Sequence, residues 1–340
     1  MKKHVALFAG LGGFSVATNR LGMETIFATD LENHCVNTIK NSFPGIQTAC
    51  TNICSLDFQN YFNTDVEVDI LSAGFPCQSF SMAGSNLGFD DPRGKLFYEI
   101  PRLIKSLTSP PKVVLLENVP FLKVFNNGSR LDLVIQQLRL QGYWVSSAQA
   151  PILNSRKVCG TPQRRERLYI VAYHSAYFKR NFFNFADFES VDPIELWSVI
   201  NRDEKLDQKL YLDPKNKYFQ MLDQSMTKNG DHLLYQIRRV GVRPCPENIC
   251  PTLTANMGGG GHNVPFLRDP HGIRKLSVEE CLKLQGYDNN EILFPEDLPL
   301  SYRYTMIGNA VHAGTVQKVL EKIDFNQEKR KKIDRVALSA

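Results

Sequence analysis

A chain of 340 residues, 43% of them hydrophobic, can bury a full core, which excludes disorder throughout and leaves room for one large domain with a smaller one, or for two modest domains. Charged residues make up 22% and the formal net charge is +5, a mildly basic balance that permits nucleic-acid binding without requiring it. The eight cysteines, at 35, 50, 54, 77, 159, 245, 250 and 281, form no CxxC pair and no zinc-finger spacing, and no apolar run approaches the roughly 20 residues that cross a bilayer. The expectation is a soluble, cytoplasmic chain with free thiols, no metal and no membrane partner.

From residue 3 to about 173, short β-branched and aliphatic runs alternate with helical spacings, the pattern of a parallel sheet wrapped by helices. Candidate strands are Val5–Phe8, Thr25–Thr29, Val68–Ser72, Val113–Leu116, Tyr143–Ser147 and Leu168–Ala172; Leu96, Ile100, Leu103, Ile104 and Leu107 recur at helical spacing, as do Leu131, Val134, Ile135 and Leu138.

The first strand runs into FAGLGGF (8–14), where Gly10, Gly12 and Gly13 let the backbone turn tightly before a helix. The dinucleotide fingerprint is incomplete, because Ser15 stands where the third glycine would be; this argues against a nicotinamide oxidoreductase. Asp30 closes the second strand about 20 positions on, where a carboxylate can accept from both hydroxyls of a ribose; a plain Gly-rich turn with an N-cap Asp is the alternative.

GFPCQSFS (74–81) follows the strand Val68–Ser72 and so projects from the carboxyl edge of the sheet, where ligand chemistry collects in open α/β folds. Cys77 is either a buried structural thiol or a nucleophile; at an ordinary pKa only a few per cent would be thiolate at neutral pH, so activation needs a positive local field. ENVP (117–120) ends the next strand at the same edge, and Glu117 is either a cap or an acid in a desolvated site. PQRRERLYIV (162–171) follows, with Arg165 and Arg167 expected on one face of an extended segment, aiming two guanidinium groups at one phosphate or base carbonyl.

After about residue 174 the periodicity dissolves until about residue 275, which reads as a loop-rich module. Ser277 followed by Glu280 opens a short helix, a second helical stretch follows Gly308, and Gln327–Arg335 reads as a solvated basic tail.

In this order FAGLGGF, GFPCQSFS, ENVP, QRRER and YTMIGNAV (304–311) resemble the DNA cytosine-5 methyltransferase family, over nearly the whole chain. The resemblance implies a Rossmann-like, S-adenosylmethionine-dependent methyltransferase sheet with helices on both faces, plus a smaller loop-rich target-recognition domain. Its boundaries are 1–173 for catalysis and cofactor, 174–270 for recognition, and 271–340 returning to complete the catalytic domain. It implies that Cys77 attacks carbon 6 of a flipped cytosine while Glu117 engages ring nitrogen 3, with Arg165 and Arg167 near the base and its phosphate, Gln163 supporting the catalytic loop and Asn118 holding its geometry. It maps the cofactor to Phe8, Gly10, Leu11, Gly13, Asp30, Leu31, Asn52, Ile53, Pro76, Leu96, Asn309 and Val311, and brings the stretch after Gly308 back beside residues 8–13.

Three positions depart from the family's usual residues: Ala6 and Asn52 replace acids and Leu31 replaces a tryptophan, for which weaker cofactor binding is the expected consequence. DNA recognition falls to Gln78, Ser79 and Ser81, to Arg238, Arg239 and Arg243, and to PTLTANMGGGGHNVP (251–265), with Thr252, Leu253, Gly259 and Gly260; the glycine run is either a close approach to a groove floor or a flexible hairpin loop. The partner implied is double-stranded DNA, methylated by a monomer in a prokaryotic cytoplasm, in functional pairing with a restriction endonuclease or alone. Transfer RNA as substrate and a catalytically silent DNA-binding relative are the competing readings.

Overall fold

Four of the first five strands carry apolar side chains on both faces, because both faces of their sheet are covered. In the computed structural model, which describes residues 1–76, 94–239, 241–259 and 263–328, these are β1 (Lys3–Leu7), β2 (Glu24–Asp30), β3 (Gln47–Cys50), β4 (Ile70–Ala73) and β5 (Val113–Asn118), joined by β6 (Tyr143–Trp144), β7 (Ile152–Asn154) and β8 (Glu166–His174). The order is β3-β2-β1-β4-β5-β8-β6, with β7 also paired to β8. The first five strands are parallel and β6, β7 and β8 antiparallel, so the expected all-parallel arrangement holds only as far as β5.

One face buries Val5, Leu7, Leu71, Leu116 and Ile170 beneath α3 (Glu99–Lys105) and α5 (Ser129–Leu140), which follow α1 (Gly13–Arg20), α2 (Asn33–Ser42) and the single turn α4 (Phe121–Val124). The other face buries Ile70, Val113, Leu115, Tyr169 and Val171 against Phe14 and Ala17 of α1 and Val158 of α6 (Ser155–Cys159). Strand β3, QTAC, is too polar to register as a strand in sequence, and β7 is too short. The run from Tyr143 is strand for two residues only.

Beyond residue 174 come α7 (Leu196–Val199), α8 (Lys217–Asn229) and an antiparallel sheet of order β10-β9-β11-β12, formed by β9 (Tyr235–Arg238), β10 (Gly241–Pro244), β11 (Phe266–Asp269) and β12 (Gly272–Lys275). Four-residue strands with one solvated face hide their alternation, so a region that reads as loops has its own core of Leu222, Met226, Tyr235, Ile237, Phe266 and Ile273. Helix α8 left a legible signal in Tyr218, Phe219, Leu222 and Met226 behind the N-cap Asn216, whose side chain accepts from Tyr218 N. The β11–β12 hairpin straddles residue 270, so the small sheet continues to Lys275.

Three more helices return to the large sheet: α9 (Val278–Leu284), α10 (Leu300–Asn309) and α11 (Ala313–Glu321). The capping box of Ser277 and Glu280 opens α9 as expected, Ser277 Oγ accepting from Glu280 N at 3.1 Å and Glu280 Oε2 from Ser277 N at 2.7 Å. Helix α10 begins before Gly308 and ends just after it, while α11, the stretch expected after Gly308, packs Val316 and Val319 beside α1.

The small sheet is joined to α9 by buried polar chemistry. Arg274 is wholly buried; its guanidinium donates to Asp269 at 2.7 Å and to both Glu280 oxygens at 2.8 and 2.9 Å, and Asn201 O is a further acceptor. Residues of the small sheet, the segment before it and α9 thereby share one charge network.

Candidate active site

The order of the large sheet reverses between β1 and β4, which opens a crevice at the carboxyl ends of the strands. A cavity of about 550 Å³ occupies it. Its floor comes from the residues that close each strand: Phe8 and Gly10 after β1, Asp30 at the end of β2, Gly74, Phe75 and Pro76 after β4, and Glu117 and Asn118 at the end of β5. Thr305, Met306, Gly308 and Asn309 close the far side.

The turn after β1 is wound left-handed at Phe8 (φ 52°), Gly10 (φ 53°) and Gly12 (φ 89°). Such a conformation in a phenylalanine is strained, a feature that concentrates at ligand sites. A Cβ on Gly10 would meet no protein atom within 4 Å, so the glycine leaves space on the cavity side. Asp30 fastens the turn: one oxygen accepts from Gly10 N at 2.8 Å and the other from Glu32 N at 3.0 Å. Burial raises the Asp30 pKa, opposed by these backbone donors. A carboxylate offers about four acceptor directions, so acceptor capacity remains for a ligand.

At the other end, Glu117 and Tyr169 are direct cross-strand partners on β5 and β8, and Arg167, two residues before Tyr169, faces the same side. Arg167 Nε lies 3.1 Å from Glu117 Oε1, an ion pair whose geometry is not that of a hydrogen bond. Burial pushes the Glu117 carboxyl up, against the opposing pull of Arg167 and then Arg165. Asn118 Nδ2 donates to Phe75 O at 3.1 Å and its Oδ1 accepts from Val119 N, tying the end of β5 to the segment that leads to Cys77.

Of the residues singled out in sequence, Phe8, Gly10, Asp30, Leu31, Asn52, Ile53, Pro76, Leu96, Glu117, Asn118, Arg165, Arg167 and Asn309 all line this one cavity. Several others do different work. Leu11 is buried in the core beneath α9 and α10. Gly13 is a packing glycine: a Cβ there would stand 2.4 Å from the Tyr287 hydroxyl and 2.6 Å from Val311 Cγ2, and Val311 is itself a buried neighbour of that turn. The Val311 contact brings the stretch after Gly308 back beside residues 8–13.

Arg165 lines the cavity, but both terminal nitrogens of its guanidinium are turned to main-chain acceptors. It is buried and donates to Leu253 O at 2.8 Å, to Ala310 O at 2.6 Å and to Gly308 O at 3.4 Å, because a buried guanidinium needs acceptors and main-chain carbonyls supply them. The Gln163 amide is bonded to Leu284 O, Gln285 Oε1 and Leu253 N, so it joins α9 to the 250–253 segment. Leu253 is buried and held through its backbone, while Thr252 Oγ1 donates to Arg164 O. Gly258 is explained by α10, since a Cβ would lie 1.9 Å from Thr305 Oγ1 and 2.4 Å from Ser301 O; Gly259 is exposed. Arg238 and Arg243 share the solvent face of the β9–β10 hairpin with Gln236, and Arg239 is exposed in its turn.

Of the three departures, Ala6 packs among Ala9, Ala28 and Ile39, Asn52 caps a short turn by accepting from Cys54 N at 3.0 Å, and Leu31 stands 63% exposed at the cavity rim. Cys77, Gln78, Ser79, Ser81 and Gly260 lie outside the described residues, as does the tail from 329. The sequence reading missed His34, Met306 and Tyr302 in the cavity wall; these sit on helices whose orientation toward the crevice has no local signal.

A family model described as C-5 cytosine-specific DNA methylase matches residues 3–324. The chain belongs to this family. The enzyme is a DNA cytosine-5 methyltransferase. It is 36% identical to Type II methyltransferase M.Bsp6I of Bacillus sp. (strain RFL6), over 95% of this chain and 98% of that one. It is 30% identical to M.HpaII of Haemophilus parainfluenzae (94% and 89% covered) and 30% identical to M.HhaI of Haemophilus parahaemolyticus (95% and 93%). The enzyme shares its fold with the solved Dnmt2 methyltransferase of S. pombe, at a TM-score of 0.69, 17% identity and coverage of 95% and 98%. A putative DNA modification methyltransferase encoded within a prophage of E. coli aligns with a TM-score of 0.68, 19% identity and coverage of 94% and 99%.

Proposed function

We propose that the enzyme methylates one cytosine within a short specific sequence of double-stranded DNA, drawing on S-adenosylmethionine and a covalent Cys77 adduct. The observation that carries this reading is a single cavity with a buried carboxyl, Glu117 paired to Arg167, at one end and Asp30 with its glycine turn at the other. The residues fit the donor. A cavity of about 550 Å³ is of cofactor size, Gly10 leaves room where any other side chain would intrude, and Asp30 has acceptor capacity for ribose hydroxyls. Ile53 and Leu96 offer apolar walls for a purine and Asn309 an amide at the far side.

S-adenosylmethionine, when bound, supplies an electrophilic methyl group. The chain's residues act on the base, which leaves the duplex at a cost of about a few kcal/mol. The Cys77 thiolate adds to carbon 6, and the electron pair displaced from the 5,6 double bond moves into the ring. Glu117, whose pKa burial raises, donates to ring nitrogen 3 in its protonated form and stabilises that charge; Arg167 pairs with the carboxyl and limits how far its pKa rises. After carbon 5 gains the methyl group, a base removes its proton, the double bond re-forms and the Cys77 sulfur leaves. Asn118 fixes the approach of the segment that carries Cys77 through its bond to Phe75 O.

Arg238, Arg239 and Arg243, on the exposed hairpin of the small domain, are the groups we assign to groove and phosphate contacts. The names of the relatives place them in Type II systems, and we assign the same role here: a monomer acting with a partner endonuclease. No helix among the described residues is long and apolar enough to cross a membrane.

The test is methyl transfer from labelled S-adenosylmethionine to unmethylated plasmid, mapped by bisulfite sequencing, with Cys77→Ala in parallel. Label on carbon 5 of cytosine in one recurring motif, absent in the variant, is the expected result. Label on transfer RNA alone would sink the DNA assignment.

A further inference from the structure

The walls of the cavity come from opposite ends of the chain, and two rings meet between them. His34, near the start of α2 and four residues after Asp30, packs against Tyr302 near the start of α10, with centroids 4.8 Å apart and planes tilted at 55°. Both residues line the cavity. Tyr302 is nevertheless 48% exposed, and Leu31 beside it in the rim is 63% exposed. Large apolar side chains left open to water at a cavity mouth are a poor arrangement for a wall that has only to pack, and a suitable one for a surface that covers a ligand.

Helix α2 is anchored elsewhere to the segment that leads into α10. At the far end of α2, Ser42 Oγ accepts from Leu293 N at 2.8 Å, and Phe43 packs into the core beneath α9 and α10. The ring pair is thus placed at the open end of an otherwise fastened junction. Its polar surroundings are modest: Glu32 Oε2 lies 3.9 Å from His34 Nδ1.

We propose that the His34 and Tyr302 rings, in tilted contact, are a clamp of two halves that closes the cavity over the adenosyl end of the methyl donor and sets how long the spent donor stays bound. The proposal rests on the assignment of this cavity to S-adenosylmethionine. Asp30 and Gly10 position the ribose from below, while the ring pair covers it from the solvent side. Because Tyr302 belongs to the same helix as Met306 and Asn309, closure of the rings also sets these two residues against the donor.

The experiment is equilibrium and stopped-flow binding of S-adenosylhomocysteine to the full-length enzyme and to Tyr302→Ala, Tyr302→Phe, His34→Ala and the double alanine variant. Tyr302→Ala should raise the dissociation constant about tenfold, mainly through faster release, and Tyr302→Phe should bind like the wild type because the ring is kept. His34→Ala should lose a similar factor, and the double variant little more than either single one, since a pair that acts together is lost once. Binding of a non-specific DNA duplex by the same proteins should be unchanged, which reports an intact fold. A Tyr302→Ala constant within twofold of the wild type, or losses that multiply in the double variant, overturns the clamp. A wild-type enzyme that binds no S-adenosylhomocysteine overturns the donor assignment instead.

Discussion

Replacing Arg167 by methionine keeps the length of the side chain and removes its charge, which tests whether Glu117 works as an acid. In the folded enzyme burial raises the Glu117 pKa and Arg167, at 3.1 Å, pulls it back. At that distance the Coulomb energy is about 5 kcal/mol at an effective dielectric constant of ~20. Both side chains retain some exposure, 15% for Arg167 and 10% for Glu117, and relaxation and water take up more than half of that figure. A residual effect of about 1.4–2.7 kcal/mol corresponds to roughly 1–2 pH units.

The sign follows from the chemistry. Loss of a neighbouring positive charge favours the neutral acid, so Glu117 stays protonated to higher pH. If the protonated acid is the active form, single-turnover methyl transfer in Arg167→Met will be slower at every pH, yet its high-pH limb will sit about 1–2 units above that of the wild type. Glu117→Gln, which donates to ring nitrogen 3 without titrating, should show no such limb. A limb that stays in place or moves to lower pH in Arg167→Met would refute the assignment of Glu117 as the acid.

Other consequences are open to direct measurement. Arg274→Ala leaves Asp269 and Glu280 buried without their shared partner, which should cost about 3–5 kcal/mol in urea unfolding. At Gly308 a Cβ would lie 2.1 Å from Thr254 C and 2.3 Å from Ala255 N, so Gly308→Ala must force α10 away from the 254–255 backbone and is expected to abolish soluble expression. Gly10→Ala meets nothing within 4 Å and should cost only about 1–2 kcal/mol for its left-handed φ, while strongly weakening donor binding in calorimetry. His4 and His312 are held neutral by burial, each lowered to about 3. Their folded values lie below the unfolded one, so the stability they contribute is complete above about pH 6.5 and is lost as pH falls toward 3. The two together give a slope of up to about 2.7 kcal/mol per pH unit, read from urea midpoints at successive pH values. Arg238→Gln and Arg243→Gln should weaken DNA binding and each reduce the magnitude of the salt slope by about one if they hold phosphates, whereas a relaxed base preference would mark a groove contact.

The sequence alone carried strands β1, β2, β4, β5 and β8, the turn after β1, the carboxylates Asp30 and Glu117, and the family. These are local events: an apolar run long enough to cross a covered sheet, a glycine where the backbone must turn, an acid at the carboxyl end of a strand. The four-residue strands of the small domain were not legible, because one solvated face and frequent Gly and Pro erase the alternation that would announce them.

Partnership was decided only by the tertiary structure. Arg165 and Arg167 stand two residues apart and look equivalent in the chain, yet Arg167 meets Glu117 while the two terminal nitrogens of Arg165 donate to the carbonyls of Leu253, Gly308 and Ala310, from segments 88 or more residues away. Gln163 and Leu253, which the motif marks for catalysis and recognition, are bonded to each other at that junction. The physical reason is the same in each case. A motif specifies which groups a turn or strand end can offer, whereas the acceptor that claims a buried donor depends on which distant backbone the fold brings within about 3 Å.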